Sequence, residues 1–131
     1  MTGLYVDMSA LLKRIFIEDE SSQVRAILRA RSSADDLIAS SELARVEVSR
    51  ALLRAGVEDT GHAISAACAG IARQPLDPMV LTRARTIGAP NLRSLDAIHL
   101  SAAISLGAVE MLTFHSRLAE AAESVGVRAI P

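Results

Sequence analysis

Three carboxylates interrupt otherwise apolar stretches of this chain, and acids in such places have chemistry to offer. Asp7 ends the apolar run Leu4-Tyr5-Val6 and is followed by Ser9, a helix-start residue, and Ala10-Leu11-Leu12. The segment reads as a buried strand that delivers an acid to its C-terminal tip, with a helix directly behind it. In open parallel sheets, ligands bind outside those carboxyl ends. An acid there is costly to desolvate and needs a metal ion, another cation or hydrogen-bond donors. The plainer use of Asp7 is to cap the next helix. Glu47 lies mid-helix between Leu43 and Ala51, where an intrahelical pair with Arg50 is the plain alternative. Asp96 lies in the first turn of a helix beginning near Ser94, where the helix dipole alone favours an acid. In a doubly wound sheet the end of the first strand and the starts of later helices converge on one edge. Carboxylates meeting there repel unless a cation sits between them. Oxygen-only ligands suit Mg²⁺ or Mn²⁺, and a metal so held can activate water and stabilise charge on a phosphoryl group.

The elements that must position these acids are short. Residues 4–7 read as a strand, 9–16 as a first helix, and 20–31 as a second helix with Val24, Ile27 and Leu28 at helical spacing. Asp36 to Ala39 fits a second strand. Ser40 or Ser41 then caps a helix that runs to about Ala55 and stops at Gly56. The pattern predicts a helix over 60–73, a turn or very short strand between Pro75 and Pro78, and a helix from Pro78 to Ile87. After the loop Gly88-Ala89-Pro90-Asn91, Ser94 caps a helix from 95 to about 106 that Gly107 ends. A strand over 109–113, a helix from Ser116 to Gly126 and a strand over 127–130 complete the chain. Strands alternating with helices imply a parallel sheet covered on both faces. The expected architecture is a single α/β domain over 1–131, a three-layer α/β/α sandwich with a four- or five-stranded parallel sheet.

Composition narrows the function classes. At 131 residues the chain is long enough for a real core. Half of it is hydrophobic and only 2 % aromatic, so the core is built from Ala, Leu, Ile and Val. A mean hydropathy of +0.31 with no membrane segment suggests burial against a partner or a second copy. The most apolar long stretch, 95–109, is too short to span and is interrupted by Asp96 and His99. No basic region precedes an apolar one at the N-terminus, so no signal peptide is expected. The lone Cys68 excludes an internal disulfide and reads as a small core residue, which fits a reducing, cytoplasmic setting. The net charge of −1 sets up no global field for nucleic acid. Of the 14 basic residues only Lys13 is lysine. The arginine excess suits phosphate contacts, although coding bias explains it as well.

Four segments resemble the PIN domain in its VapC toxin branch: Asp7-Met8-Ser9-Ala10, Leu43-Ala-Arg-Val-Glu47-Val, Leu95-Asp96-Ala97-Ile98-His99-Leu100, and Leu112-Thr113-Phe114 before Arg117-Leu118. Each is weak alone, but their order and spacing match over essentially the whole chain. The resemblance implies Mg²⁺- or Mn²⁺-dependent endoribonuclease activity by the toxin of a bacterial toxin–antitoxin pair. It implies Asp7 and Asp96 as metal ligands, Glu47 completing the acidic cluster directly or through water, and Ser9 hydrogen-bonding near the site. It also implies RNA as substrate and a cognate antitoxin that blocks the site; Arg93, just before the Asp96 helix, is by its position a candidate for holding the RNA backbone. The apolar surplus fits a homodimer and an antitoxin groove, with the helices over 9–31 as the expected contact. One departure stands out. The family pattern carries a fourth acid after Thr-Phe, and this chain has His115 there. A histidine can ligate Mn²⁺ but is a poor Mg²⁺ ligand, and as a surface residue it would simply start the last helix. His99, three residues after Asp96, is expected to play a structural role and to bond Asp96 or nearby backbone. The runner-up reading is a catalytically impaired PIN-like module that binds RNA or protein. A response-regulator-like phosphoacceptor is disfavoured, because it needs a lysine late in the chain.

Overall fold

The computed structural model describes residues 2–131. In chain order the elements are β1 (Gly3–Val6), α1 (Met8–Leu12), α2 (Ser21–Ser33), β2 (Leu37–Ser41), α3 (Glu42–Arg54), α4 (Thr60–Ala67), β3 (Ala72–Gln74), α5 (Pro78–Ala84), α6 (Ser94–Leu106), β4 (Glu110–Leu112), α7 (Ser116–Ser124) and β5 (Arg128–Ile130). The sheet has five strands in the order β3-β2-β1-β4-β5, and every pairing is parallel. The five-stranded form of the expected architecture is the one adopted.

β1 lies at the centre, with Tyr5 opposite Ala39 on β2 and Met111 on β4. Its side chains alternate between the faces, as strand geometry requires. Leu4 and Val6 join a core with Leu11, Val24, Val48 and Leu52, whereas Tyr5 joins the opposite core with Val80, Leu100, Met111 and Leu118. All of these are fully buried. Helices therefore cover both faces, and the strands read as short continuous apolar runs.

The strand order turns back between β1 and β4. At such a switch point the loops leaving adjacent strands diverge to opposite faces and open a crevice at the carboxyl ends. Asp7 leaves β1 and Thr113 leaves β4, so both stand at this crevice. The opposite edge is tied by Glu110, a buried acid paired with Arg31 and, at 2.5 Å, with Arg128. Burial pushes its carboxyl up, but the two guanidiniums outweigh this and hold it below the usual range.

Three local expectations are corrected. The helix over 60–73 ends at Ala67, with buried Cys68 at its C-cap, and Gly70 adopts a positive φ of 76° that turns the chain into β3. No strand forms between Pro75 and Pro78. Asp77 there accepts the Val80 N–H and starts α5, with Pro78 in its first turn. The first helix stops at Leu12, beyond which Lys13 and Arg14 make i→i−3 bonds. In addition, the N-cap of α6 is Arg93 rather than Ser94, and no side chain caps that helix.

Candidate active site

Asp7 does both things its sequence position allows. It is the N-cap of α1, with Oδ1 accepting from Ala10 N at 3.1 Å and from Ser9 Oγ at 2.6 Å. Its Oδ2 accepts from Thr113 Oγ1 at 2.6 Å. The residue is 1 % exposed, and among the described residues no side-chain cation pairs with it. Three donors thus satisfy a buried anion whose charge remains uncompensated. Ser9 also accepts the Phe114 N–H at 2.9 Å, and Thr113 Oγ1 accepts the His115 N–H at 3.0 Å. The two loops that leave β1 and β4 are therefore stitched together around the Asp7 carboxylate.

Asp7, Glu47 and Asp96 line one cavity of ≈ 620 Å³, together with Arg93, His115 and Arg117. Ser9 supports Asp7 from outside that lining. Asp96 lies in the first turn of α6 as expected, and it makes no ion pair among the described residues. Glu47 is not paired with Arg50. Its Oε1 lies 2.5 Å from His99 Nε2, so His99 bonds Glu47 rather than Asp96. His115 occupies the N-cap position of α7 with an exposed side chain that makes no cap hydrogen bond. The N-termini of α6 and α7 are thus both free of side-chain caps, and residues of both first turns line the cavity. Unpaired N–H groups and the positive dipole ends there favour an anion.

The acids share a cavity without forming a preassembled cage: among the described residues, no three His, Cys, Asp or Glu side chains stand together as a ready metal site. The donors are hard oxygens, and the uncompensated buried Asp7 is the kind of anion a cation would neutralise.

Sequence reasoning missed three participants. Thr113 lies in a segment singled out for other residues, yet it is a direct partner of Asp7. Arg117 projects from the first turn of α7 into the cavity lining. A second cavity, of ≈ 540 Å³, shares Arg93 and Arg117 with the first and continues past Asn91, Glu120 and Ser124. Tyr5, the third, stands behind His99, with its hydroxyl 2.7 Å from Nδ1.

Residues 4–124 match the family model of the PIN domain. Ribonuclease VapC46 of Mycobacterium tuberculosis is 38% identical, over 99% of this chain and 98% of its own. Ribonuclease VapC47 of the same species is 37% identical, over 94% and 92%. Among solved structures, M. tuberculosis VapC20, described as a sarcin–ricin loop cleaving toxin, superposes with a TM-score of 0.65 over 90% of this chain and 94% of its own, at 14% identity. PAE2754 from Pyrobaculum aerophilum gives 0.64 over 98% and 83%, at 20% identity. The two structures show likeness of fold, and the curated relatives extend it to sequence along nearly the whole chain. The chain belongs to the PIN-domain family, in its VapC branch.

Proposed function

We propose that this protein is a divalent-metal-dependent endoribonuclease, the toxin of a toxin–antitoxin pair, and that it hydrolyses RNA phosphodiester bonds. The observation that carries the reading is the convergence of Asp7, Glu47 and Asp96 on one cavity at the sheet's switch point, with Asp7 buried and lacking a cationic partner among the described residues. The ribonuclease names of the curated relatives support the same activity. Asp7 and Asp96 would hold the ion and Glu47 would complete the acidic set. Bound there, Mg²⁺ or Mn²⁺ supplies Lewis acidity and a water of lowered pKa. Ser9, Ala10 and Thr113 keep the Asp7 carboxylate in place. Arg93 and Arg117, with the uncapped N-termini of α6 and α7, supply the positive potential that receives the RNA backbone beside these acids.

The partner assignments extend the reading. The antitoxin contact is assigned to 9–31, where Ile17 is 76% exposed between α1 and α2. A homodimer would cover further exposed apolar residues such as Met79 and Leu81. None of the described helices is long and apolar enough to cross a membrane, and the toxin is assigned to the cytoplasm.

The test is cleavage of a panel of structured RNAs by antitoxin-free protein in Mg²⁺, Mn²⁺ or EDTA. Cutting with either metal and none in EDTA is the expected result. RNA binding without cutting under any metal would move the assignment to the impaired binding module, which is the reading that exposed His115 favours. Replacing Arg93 or Arg117 by Ala should raise KM about threefold each, since an exposed charge contact is worth under about 1 kcal/mol. The slope of affinity against salt should become shallower in both. An unchanged salt slope would remove the two arginines from the RNA path.

A further inference from the structure

We infer that His99 is a positioning residue for this site: backed by Tyr5, it clamps the Glu47 carboxylate in the cavity wall. The inference rests on the nuclease reading for its consequence and on geometry for its substance. His99 is 3% exposed and Tyr5 fully buried. Their rings meet edge-on, 5.9 Å apart at 69°. Tyr5 Oη lies 2.7 Å from His99 Nδ1 and 2.8 Å from Ser41 Oγ, and His99 Nε2 lies 2.5 Å from Glu47 Oε1. Ser41 is also the N-cap of α3, accepting the Ala44 N–H at 3.2 Å. The chain of contacts therefore starts at the head of α3, passes through β1 and α6, and returns to α3 at Glu47. It closes on the helix that carries the acid.

With the Glu47 carboxyl ionised, the proton order of this chain has two solutions. In one, Tyr5 donates to Nδ1 and the neutral ring donates Nε2–H to Glu47. In the other, Tyr5 donates to Ser41 and both ring nitrogens are donors. Burial pushes the Tyr5 phenol well above its usual range, so it holds its proton in both. In both solutions, too, Nε2–H points at the Glu47 carboxylate. A free glutamate has three side-chain torsions, and this bond fixes Oε1. Among the described residues Oε2 makes no hydrogen bond, so it remains available to the site. Carboxylates at metal sites are commonly oriented by such outer partners, whose loss costs about 10- to 100-fold in affinity or activity.

Three full-length variants test the clamp: His99→Leu, His99→Gln and Tyr5→Phe. Mn²⁺ affinity by titration calorimetry, RNA cleavage and melting temperature are compared with the parent chain. His99→Leu is expected to lose about 10- to 100-fold in cleavage, mainly in kcat, and to bind Mn²⁺ more weakly. His99→Gln, whose amide can donate to Glu47, should recover most of both. Tyr5→Phe should fall between them. Parental Mn²⁺ affinity and cleavage in His99→Leu would overturn the proposal. So would equal losses in the Leu and Gln variants that merely follow their melting temperatures. If His99→Leu fails to fold, ring ¹⁵N NMR decides. A protonated Nε2 whose shift responds to Glu47→Gln supports the clamp, and one indifferent to that change refutes it. The NMR readout needs no activity, so a parent chain that cuts no RNA would sink the nuclease reading while leaving the clamp tested.

Discussion

Asp7→Asn is expected to lower metal-dependent RNA cleavage by more than about 100-fold, beyond the loss usual for a supporting partner, while leaving the fold intact or slightly more stable. The substitution separates the two roles that Asp7 combines. As an N-cap, Asn serves about as well as Asp. Its carbonyl oxygen can keep the bonds from Ser9 Oγ and Ala10 N. Its amide nitrogen then faces Thr113 Oγ1, which must turn from donor to acceptor. A hydroxyl has two acceptor lone pairs, and only one is taken, by the His115 N–H. The network can therefore reorganise, and what is lost is the charge. Removing a buried anion that has no cationic partner among the described residues relieves a desolvation cost. A gain of about 1 kcal/mol would raise the melting temperature by about 4 °C at this chain length. Function gained at the expense of stability is the usual state of such sites. Cleavage assays in Mg²⁺ and Mn²⁺ with a thermal melt check both halves. An active variant would take the ion away from Asp7. An inactive variant that has also unfolded would mean that the acid serves the fold rather than the chemistry.

The legible parts of this molecule are those in which one short segment carries its own physical signature. Leu4-Tyr5-Val6 followed by Asp7, Ser9 and an apolar helix start announces a strand with a helix directly behind it, and the structure has both, with Asp7 as the cap of a helix that begins at Met8. Gly107 ends α6 with a φ of 74°, as its position after the apolar run suggested. β3 was illegible because Ala72 and Arg73 are exposed on an edge strand. They show neither apolar alternation nor a burial signal, and the Ala-rich run before them favours a helix. The alternation of elements was readable, but the order β3-β2-β1-β4-β5 depends on which strand pairs across the sheet. Within the site, Asp7, Glu47 and Asp96 stood out as acids in apolar contexts. The His99–Glu47 contact joins two helices across 52 residues of chain, and each residue had a nearer partner within its own helix. Thr113 is polar, small and buried. Only the fold, by placing the end of β4 beside the end of β1, reveals what it holds.

His115→Asp is expected to lower the Mg²⁺ concentration for half-maximal cleavage about tenfold, equivalent to roughly 1.4 kcal/mol of binding, and to change the Mn²⁺ requirement less. His115 is the third residue after β4, whereas Asp7 directly follows β1, but each is the N-cap of the helix behind it. The difference lies in the cap. The Asp7 side chain accepts a first-turn N–H, whereas His115 makes no such bond. A carboxylate at position 115 can do what Asp7 already does, capping its helix with one oxygen and contributing charge to the cavity it lines. The cap is worth about 1 kcal/mol, which offsets the added repulsion among four acids in the metal-free protein. The preference between metals follows from ligand hardness. Mg²⁺ takes oxygen donors and leaves imidazole unused, whereas Mn²⁺ accepts imidazole nitrogen as well. Replacing the ring by a carboxylate should therefore shift the ratio of Mg²⁺- to Mn²⁺-supported activity upward. Cleavage rates across titrations of both metals, in the parent chain and in the variant, give that ratio directly. If it stays constant while both activities rise, the gain comes from capping α7 and ordering the loop after β4. If neither rises, the three acids already in the cavity suffice, and His115 is an exposed cap with no part in holding the ion.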